Sequence, residues 1–154
     1  MTASPSQDVR VRPATVDDGP RLAQLLAGGS LRGGEDPDHP DRYIDALDEI
    51  ARTPGNDVLV AEVAGTVVGM CQLITFRHVQ ERGGRCAEIE SMHVAERYRG
   101  SGIGGVLLEA AVEAARRAGC YRIQLASNKS RTGAHRFYEQ HGFEATHEGF
   151  KRYL

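Results

Sequence analysis

The sequence predicts a mixed α/β fold in which helices cover a single-layer sheet. β-rich runs alternate with segments whose apolar residues recur at helical spacing, and 40% of the residues are hydrophobic. A chain of 154 residues is long enough to bury a core and is typical of one domain. We expect the element order β-α-α-β-β-β-α-β-α-β in one domain over residues 1–154, with residues 1–8 disordered.

The first half predicts a strand, two helices and a hairpin. Residues 9–13 alternate as a strand does, and Thr15 forms a capping box with Asp18 ahead of a leucine-rich helix. Residues 38–52 place apolar side chains at helical spacing and predict a second helix. Two β-rich runs within 57–76, separated by an Ala-Gly pair, predict a hairpin.

The second half continues the alternation of strands and helices. Residues 87–94 predict a strand, and the apolar stripe that starts after Gly102 predicts a helix. Residues 121–127 predict another strand, and residues 131–141 predict a short helix. The tail, residues 143–154, predicts one broken strand or two short ones.

Charge and cysteine content exclude several classes of protein. Nineteen basic and 21 acidic residues give a net charge of −2, so no overall field favours nucleic acid or an anionic membrane. Three cysteines without a C-x-x-C pair argue against a disulfide scaffold and favour a reducing compartment. The sequence has no signal peptide, long apolar span or Cys/His cluster, so we expect a cytoplasmic protein without a metal site.

Residues 97–105 (RYRGSGIGG) form a glycine loop between a predicted strand and a predicted helix. A helix start offers N–H groups and a positive dipole end to an anion, and glycine lets the backbone approach that anion. The G-x-G-x-x-G spacing does not indicate a dinucleotide, because the next strand ends in Ser127-Asn128 and not in an acid. A P-loop is excluded because the loop has no lysine.

Two motifs resemble a known superfamily. From Arg99 the loop has the pattern R-x-x-G-x-G, and residues 90–111 (ESMHVAERYRGSGIGGVLLEAA) resemble the acetyl-CoA-binding signature of the GNAT N-acetyltransferases. Residues 134–144 (AHRFYEQHGFE) resemble the second signature of that superfamily, A-x-x-F-Y-x-x-x-G-F. The resemblance extends over residues 9–148. It implies a mostly antiparallel central sheet that is splayed between two strands and flanked by about four helices.

The resemblance also implies which residues contact acetyl-CoA. Six loop residues would hold its pyrophosphate: Arg99, Gly100, Ser101, Gly102, Ile103 and Gly104. The splayed strand would pair its backbone with the pantetheine arm at Met92, His93 and Val94, as a sheet edge pairs with a peptide. Asn128 and Arg131 would also face the cofactor, although a solvated helix face explains Arg131 equally well.

Two carboxylates are candidates for the general base. Glu88 and Glu90 are two residues apart on one strand, so both point to the same face with about 7 Å between them. A carboxylate on a central strand is costly unless it is paired or used, and Arg85 or Arg122 offers an ion pair. The resemblance favours Glu90 as the base or as a residue that orders water for one. The spacing leaves the choice between the two carboxylates open.

Tyr138 is the candidate general acid. The resemblance implies that its hydroxyl protonates the departing thiolate of coenzyme A, and simple packing beside Phe137 is the alternative. A backbone N–H near Met92 is the expected oxyanion donor, whereas His93 is expected to pack. No cysteine lies beside a recognisable base and its orienting partner, so we expect direct attack by the amine in a ternary complex.

The acceptor is predicted only as a class. Seven acidic residues against one arginine over residues 35–49 could hold a primary amine of a small cationic molecule or a peptide. A solvated acidic helix face is the alternative explanation, and a non-catalytic acyl-CoA-binding regulatory module is the alternative function. We expect no nucleic-acid or membrane partner, and the apolar end of the tail (FKRYL) is compatible with a homodimer.

Overall fold

The computed structural model describes residues 8–154, so the expectation of N-terminal disorder lies outside the described residues except at Asp8. The strands are β1 Val9–Pro13, β2 Asn56–Val63, β3 Thr66–Arg77, β4 Arg85–Val94 and β5 Cys120–Leu125. The helices are α1 Gly19–Gly29, α2 Asp41–Arg52, the short α3 Gln80–Gly83, α4 Ile103–Arg117 and α5 Thr132–Gln140. The predicted element order is confirmed from β1 to α5, apart from the added α3.

The five strands form a sheet in the order β1-β2-β3-β4-β5. Neighbouring strands are antiparallel except β4 and β5, which are parallel and are joined by α4. Strands β2 and β3 are joined by a two-residue turn in which Ala64 and Gly65 have positive φ angles of 47° and 78°. Positive φ at both central residues is the geometry that closes a tight hairpin along the twist of its strands. The hairpin prediction is confirmed.

Helices cover the two faces of the sheet unequally. Helix α4 covers one face with a stripe of fully buried residues: Ile103, Leu107, Leu108, Ala111 and Ala115. Helices α1 and α2 cover the other face mainly over β2 and β3, with a core of Leu22, Leu25, Leu47, Val58, Val60, Val67 and Met70. The end of α1 also reaches β4, where Gly29 contacts His93. Glu88, Glu90 and His93 lie half-buried on the α1 side of β4.

One charged network fixes β1 against the start of α1. The guanidinium of Arg12 donates two hydrogen bonds to Asp18, at 2.8 and 3.0 Å, and one to Glu62 on β2, at 3.0 Å. The Asp18 carboxylate, only 8% exposed, also accepts the backbone N–H of Thr15 at 2.8 Å. A nearly buried carboxylate with several donors is stabilised in its charged form, so the hydrogen bond from Arg12 lowers the pKa of Asp18.

The strand predicted in the tail is wrong. Residues 143–154 contain no strand, and Phe150 and Leu154 are almost fully exposed. The tail has too few apolar residues at alternate positions to bury one face of a strand, and Gly149 interrupts it. The tail is instead held by its side chains, through a 2.7 Å ion pair of Lys129 with Glu148 and the stacking of Arg32 over Tyr153.

None of the helices described in residues 8–154 has the length and apolar character that would let it cross a membrane.

Asp18→Asn should lower the free energy of unfolding near neutral pH by about 1–3 kcal/mol, because it weakens a network of charged hydrogen bonds. The native pKa of Asp18 is lowered, so its contribution is present above the ordinary aspartate pKa of about 4 and is lost as pH falls through the native value. Urea denaturation at several pH values measures this. Exposed Asp17→Asn is the control, and an equal Asp18→Asn effect at pH 7 and pH 3 would contradict the assignment.

Candidate active site

A bulge in β4 sets the direction of the side chains in the candidate site. The flanking pairs between β3 and β4 are Met70–His93 and Gln72–Glu90. Between them, Ser91 and Met92 together oppose the single residue Cys71. Ser91 takes a left-handed conformation with φ of 52°, which is uncommon for a residue with a side chain. The bulge therefore resets the alternation of β4 in the middle of the strand.

This reset separates the apolar side chains of β4 from the reactive ones. Met92 and Val94 pack into the core beneath α4. Ile89 belongs to that core, so its neighbour Glu90 points to the opposite face of the sheet, the α1 face. His93 lies on the α1 face as well, because its ring contacts Gly29 of α1.

Strand β4 loses its parallel neighbour before it ends. The last paired residues are Ile89 and Leu125, where β5 stops, whereas β4 continues to Val94. Residues 90–94 therefore present an edge that has no strand partner among the described residues. Unpaired backbone groups of this kind can bind an extended chain that carries amides. The splay expected between two strands of the central sheet is confirmed.

The glycine loop connects this open edge to the N-terminus of α4. Gly100 and Gly102 have φ angles of 75° and 86°, which side chains rarely adopt, and Gly102 directly precedes the helix. The first turn of α4 has no acidic residue, so its N–H groups and positive dipole end are not neutralised locally. Arg99 donates from Nε to the carbonyl of Val94 at 3.1 Å. The loop has the properties of an anion-binding site.

Two further glycines let α5 approach α4. A side-chain carbon on Gly104 would lie 3.4 Å from the Phe137 ring, and one on Gly105 would lie 2.9 Å from Nε2 of His141. Gly104 was predicted to bind the cofactor, and Gly105 was given no role of its own. The pair of glycines in the first helical turn was the available signal for a close helix contact.

The two candidate carboxylates have different environments. Oε2 of Glu88 accepts a hydrogen bond from Nε2 of Gln124 at 2.9 Å. Glu90 has no hydrogen bond or ion pair with any described residue, and it lies where β4 becomes unpaired. Gln72, its neighbour on β3, donates its amide to Asn56 at 2.8 Å.

Neither carboxylate forms the ion pair that the sequence suggested. Among the described residues, Arg85 and Arg122 make no salt bridge with Glu88 or Glu90. The contact of Gln124 with Glu88 could not be predicted from the sequence, because the two residues are 36 positions apart and no local pattern connects them.

Tyr138 lies in the last turn of α5, near the bulge. Its ring packs edge-on against Phe137 and Phe143, with centroid distances of 5.2 and 5.9 Å. Burial raises its pKa, the nearby Cys71 raises it further, and the positive charge of Arg131 partly offsets this. The phenol is therefore protonated at neutral pH, and its hydroxyl has no hydrogen-bond partner among the described residues.

The other predicted contacts lie near the open edge of residues 90–94, where α1 ends and α5 begins; we call the space along this edge the groove. Arg131 donates a hydrogen bond to the carbonyl of Gly29 at the end of α1. The pKa of His93 is lowered by burial and by the positive charges of Arg131 and Arg99, so its ring is neutral at pH 7. The side chain of Asn128 accepts the N–H and the hydroxyl of Ser130 at 2.9 and 2.8 Å, which shapes the turn before α5.

Cys71, which faces the bulge, is a poor candidate for a nucleophile. All three cysteines are unpaired thiols, and burial raises the pKa of Cys71 to about 12. A thiol that stays protonated is a poor nucleophile. Within residues 8–154, no group of three or more His, Cys, Asp or Glu side chains is placed to hold a metal ion.

A family comparison agrees with this geometry. A sequence model of the acetyltransferase (GNAT) family matches residues 23–143, which span both motifs and the sheet from β2 to β5. The chain belongs to the acetyltransferase (GNAT) family. Its mostly antiparallel sheet with the β4–β5 splay is the fold of this family.

The curated relatives are amine N-acetyltransferases. The chain is 38% identical over 90 residues to an aminoalkylphosphonate N-acetyltransferase of Salmonella typhimurium, a match covering 58% of each protein. It is 30% identical over 127 residues to an aminoglycoside N(6')-acetyltransferase type 1 of Stenotrophomonas maltophilia, covering 80% of this chain and 82% of the relative. These relatives place the chain among the N-acetyltransferases of the family.

Solved structures show the same fold over nearly the whole chain. A protein described as a transcriptional regulator of Bacillus halodurans is 36% identical, with a TM-score of 0.89 over 95% of this chain and 99% of that one. A putative acetyltransferase of Agrobacterium tumefaciens is 26% identical, with a TM-score of 0.86 over 94% and 99%. An aminoglycoside N-acetyltransferase, AAC(6')-Iy, solved with CoA, shares the fold at a TM-score of 0.81 and 15% identity over 99% of both chains.

Proposed function

We propose that the protein transfers the acetyl group of acetyl-CoA to a primary amine by direct attack in a ternary complex. One observation carries this proposal. The edge of β4 that opens after Ile89 contains Glu90, a carboxylate without a partner among the described residues, and Tyr138 of α5 packs on the same core as Met92 of the bulge, near Cys71. A base and an acid on the two sides of an open backbone edge are the groups that aminolysis of a thioester requires.

The groove has the features needed for the co-substrate. Acetyl-CoA would supply the thioester, and the backbone of residues 92–94 would pair with the pantetheine amides. The loop of residues 99–104 and the N-terminus of α4 would hold the pyrophosphate through N–H groups, with the charge of Arg99 beside them. Asn128, in the turn before α5, would border the groove on the side of β5. The guanidinium of Arg131, expected at the cofactor, is hydrogen-bonded instead to Gly29 of α1.

The proposed reaction divides the proton transfers between two elements. Glu90, directly or through a water, would accept the proton of the amine as the new N–C bond forms. A backbone N–H near Met92, in the bulge, would donate to the developing oxyanion. As the C–S bond breaks, Tyr138 would donate its proton to the sulfur, since its raised pKa keeps it protonated. Glu88 would instead orient the site, because Gln124 already binds it.

We infer that the acceptor is a small amine bound between β4 and the connection of α1 with α2. That connection carries Glu35 and Asp36, and Tyr43 of α2 donates to Glu35 at 2.8 Å and accepts from the N–H of Asp36 at 2.7 Å. These contacts fix two acids on the connection, and the charge of Glu35 acts on the pKa of His93, so Glu35 lies near β4, where it would attract a cation. The named acceptors of the relatives, aminoalkylphosphonates and aminoglycosides, support an amine of this size.

The remaining expectations are part of the same proposal. The three unpaired thiols support a cytoplasmic location, and the exposed Phe150 and Leu154 support a homodimer. A non-catalytic acyl-CoA-binding regulator is the alternative. It would bind acetyl-CoA and release no thiol with any amine, which a panel of amines with thiol detection decides.

Acetyl-CoA should raise the melting temperature and NAD should not, because a ligand that binds only the native state stabilises it. Gly102→Val should abolish the acetyl-CoA shift, since a branched side chain disfavours the left-handed conformation at φ of 86°. Gly119→Val is the matched control, because Gly119 also has a positive φ, of 77°, but follows the far end of α4. Equal shifts with both ligands, or a shift that survives in Gly102→Val, would contradict the proposed site.

Glu90→Gln should reduce turnover most below the pKa of the acceptor amine, where a base is needed to remove its proton. The loss should be about 10²–10⁴-fold there and should shrink as pH rises and the free amine becomes abundant. Initial rates of thiol release across pH measure it. Glu88→Gln should have a smaller effect, and the reverse order of the two variants would assign the base to Glu88.

Tyr138→Phe should lower turnover by about 10²–10⁴-fold, because it removes one proton donor and keeps the packed ring. The affinity for acetyl-CoA and the melting temperature should change little. An acyl donor with a more acidic thiol should recover part of the loss, since a better leaving group needs the proton less. Unchanged turnover would show that water protonates the thiolate.

A further inference from the structure

Three elements meet at the mouth of the groove. Helix α1 ends at Gly29, which lies directly on the His93 ring of β4, so that a side-chain carbon on Gly29 would overlap Nδ1 of that ring. The carbonyl of the same glycine accepts a hydrogen bond from the guanidinium of Arg131, the residue that precedes α5. Gly29 therefore contacts β4 through the His93 ring and the start of α5 through Arg131.

This junction connects the parts that the reaction must bring together. Helix α1 leads directly into residues 30–40, which we call the acceptor segment and which contain Glu35 and Asp36. Strand β4 carries the open edge, and α5 carries Tyr138. The positive charge of Arg131 acts on the pKa values of both His93 and Tyr138, so its guanidinium lies near both residues.

The hydrogen bond of Arg131 with Gly29 is also suited to fixing the position of the C-terminal end of α1. The last carbonyls of a helix lack partners within the helix, and a cation at that end interacts favourably with the dipole. Gly29 is the last residue of α1, and Arg131 supplies such a cation from a position 102 residues later in the chain. Gly33 and Gly34 have positive φ, and hydrogen bonds with Tyr43 attach Glu35 and Asp36 of the acceptor segment to α2. The contact of Arg131 with Gly29 fixes the other end of the segment, where it leaves α1.

We propose that Arg131 is a positioning residue, which fixes the end of α1 and hence the acceptor segment against the cofactor groove. The proposal rests on the proposed acetyl transfer. This role differs from the cofactor contact that the resemblance implied for Arg131. The guanidinium donates its hydrogen bond to the carbonyl of Gly29, which lies on the side of the acceptor segment. Loss of the contact should therefore affect the acceptor and leave acetyl-CoA binding nearly unchanged.

The first test is hydrogen exchange of the full-length protein without ligands, measured by mass spectrometry. Arg131→Met keeps the aliphatic stem and removes the donor, so exchange over residues 28–40 should accelerate by about tenfold or more, the effect of losing a charged hydrogen bond. Exchange in β2, β3 and α4 should not change. Arg131→Lys should restore part of the protection, and exposed Arg117→Met is the control.

The second test is kinetic. With an aminoalkylphosphonate and an aminoglycoside as probe acceptors, Arg131→Met should raise the acceptor KM by about tenfold or more, with a change below twofold in the KM for acetyl-CoA. Gly29→Ala should have the same effect without altering Arg131, because its methyl group overlaps the His93 ring. Arg131→Lys should lie between the parent and Arg131→Met.

The outcomes separate the possible roles. A rise confined to the KM for acetyl-CoA would make Arg131 a cofactor contact and overturn the proposal, as would unchanged exchange over residues 28–40. If the parent protein transfers acetyl to neither probe amine, the exchange experiment alone decides the positioning role. That result would count against the choice of acceptor in the proposed function and not against the contact of Arg131 with Gly29.

Discussion

The interruption of pairing between β4 and β5 is the constraint on which the rest of the site depends. A sheet normally satisfies the backbone groups of a central strand on both edges, and buried groups left unpaired are costly. In this protein the pairing stops at Ile89 and Leu125 while β4 runs on to Val94. An open edge is tolerated where water or an amide-bearing ligand can bind its backbone groups. The unpaired end of β4 is therefore a candidate site for such a ligand.

The bulge at Ser91 and the glycines of α4 arrange side chains around that edge. Without the extra residue in β4, the alternation of the strand would carry either the apolar or the reactive side chains to the wrong face. Gly104 and Gly105 let Phe137 and His141 of α5 pack against the first turn of α4, and Tyr138 lies on the same helix. Both features belong to the backbone. The bulge sets the direction of the side chains of β4, and the glycines set the distance of α5 from α4.

Sequence reasoning succeeded where the signal was local. The Ala64-Gly65 turn and the glycine loop could be predicted because the conformation depends on the residues themselves. The tail was mispredicted because an edge strand also needs a partner and a buried face. The contacts of Gln124 with Glu88 and of Arg131 with Gly29 join residues 36 and 102 positions apart, and no spacing rule identifies them. The alternative ion pair of Glu88 with Arg85 or Arg122 does not form, and Glu88 accepts the hydrogen bond from Gln124 instead.

The division of the site between a strand and a glycine-rich connection has a consequence for how such a protein can diverge. The groups proposed for the chemistry lie on β4 and α5, whose geometry is fixed by the sheet and the helix packing. The acceptor would be selected largely by residues 30–40, where Gly33 and Gly34 relax the backbone. Insertions and substitutions in such a connection leave the core intact. New acceptors can therefore evolve by rewriting one surface segment while the acetyl-transfer machinery is inherited unchanged.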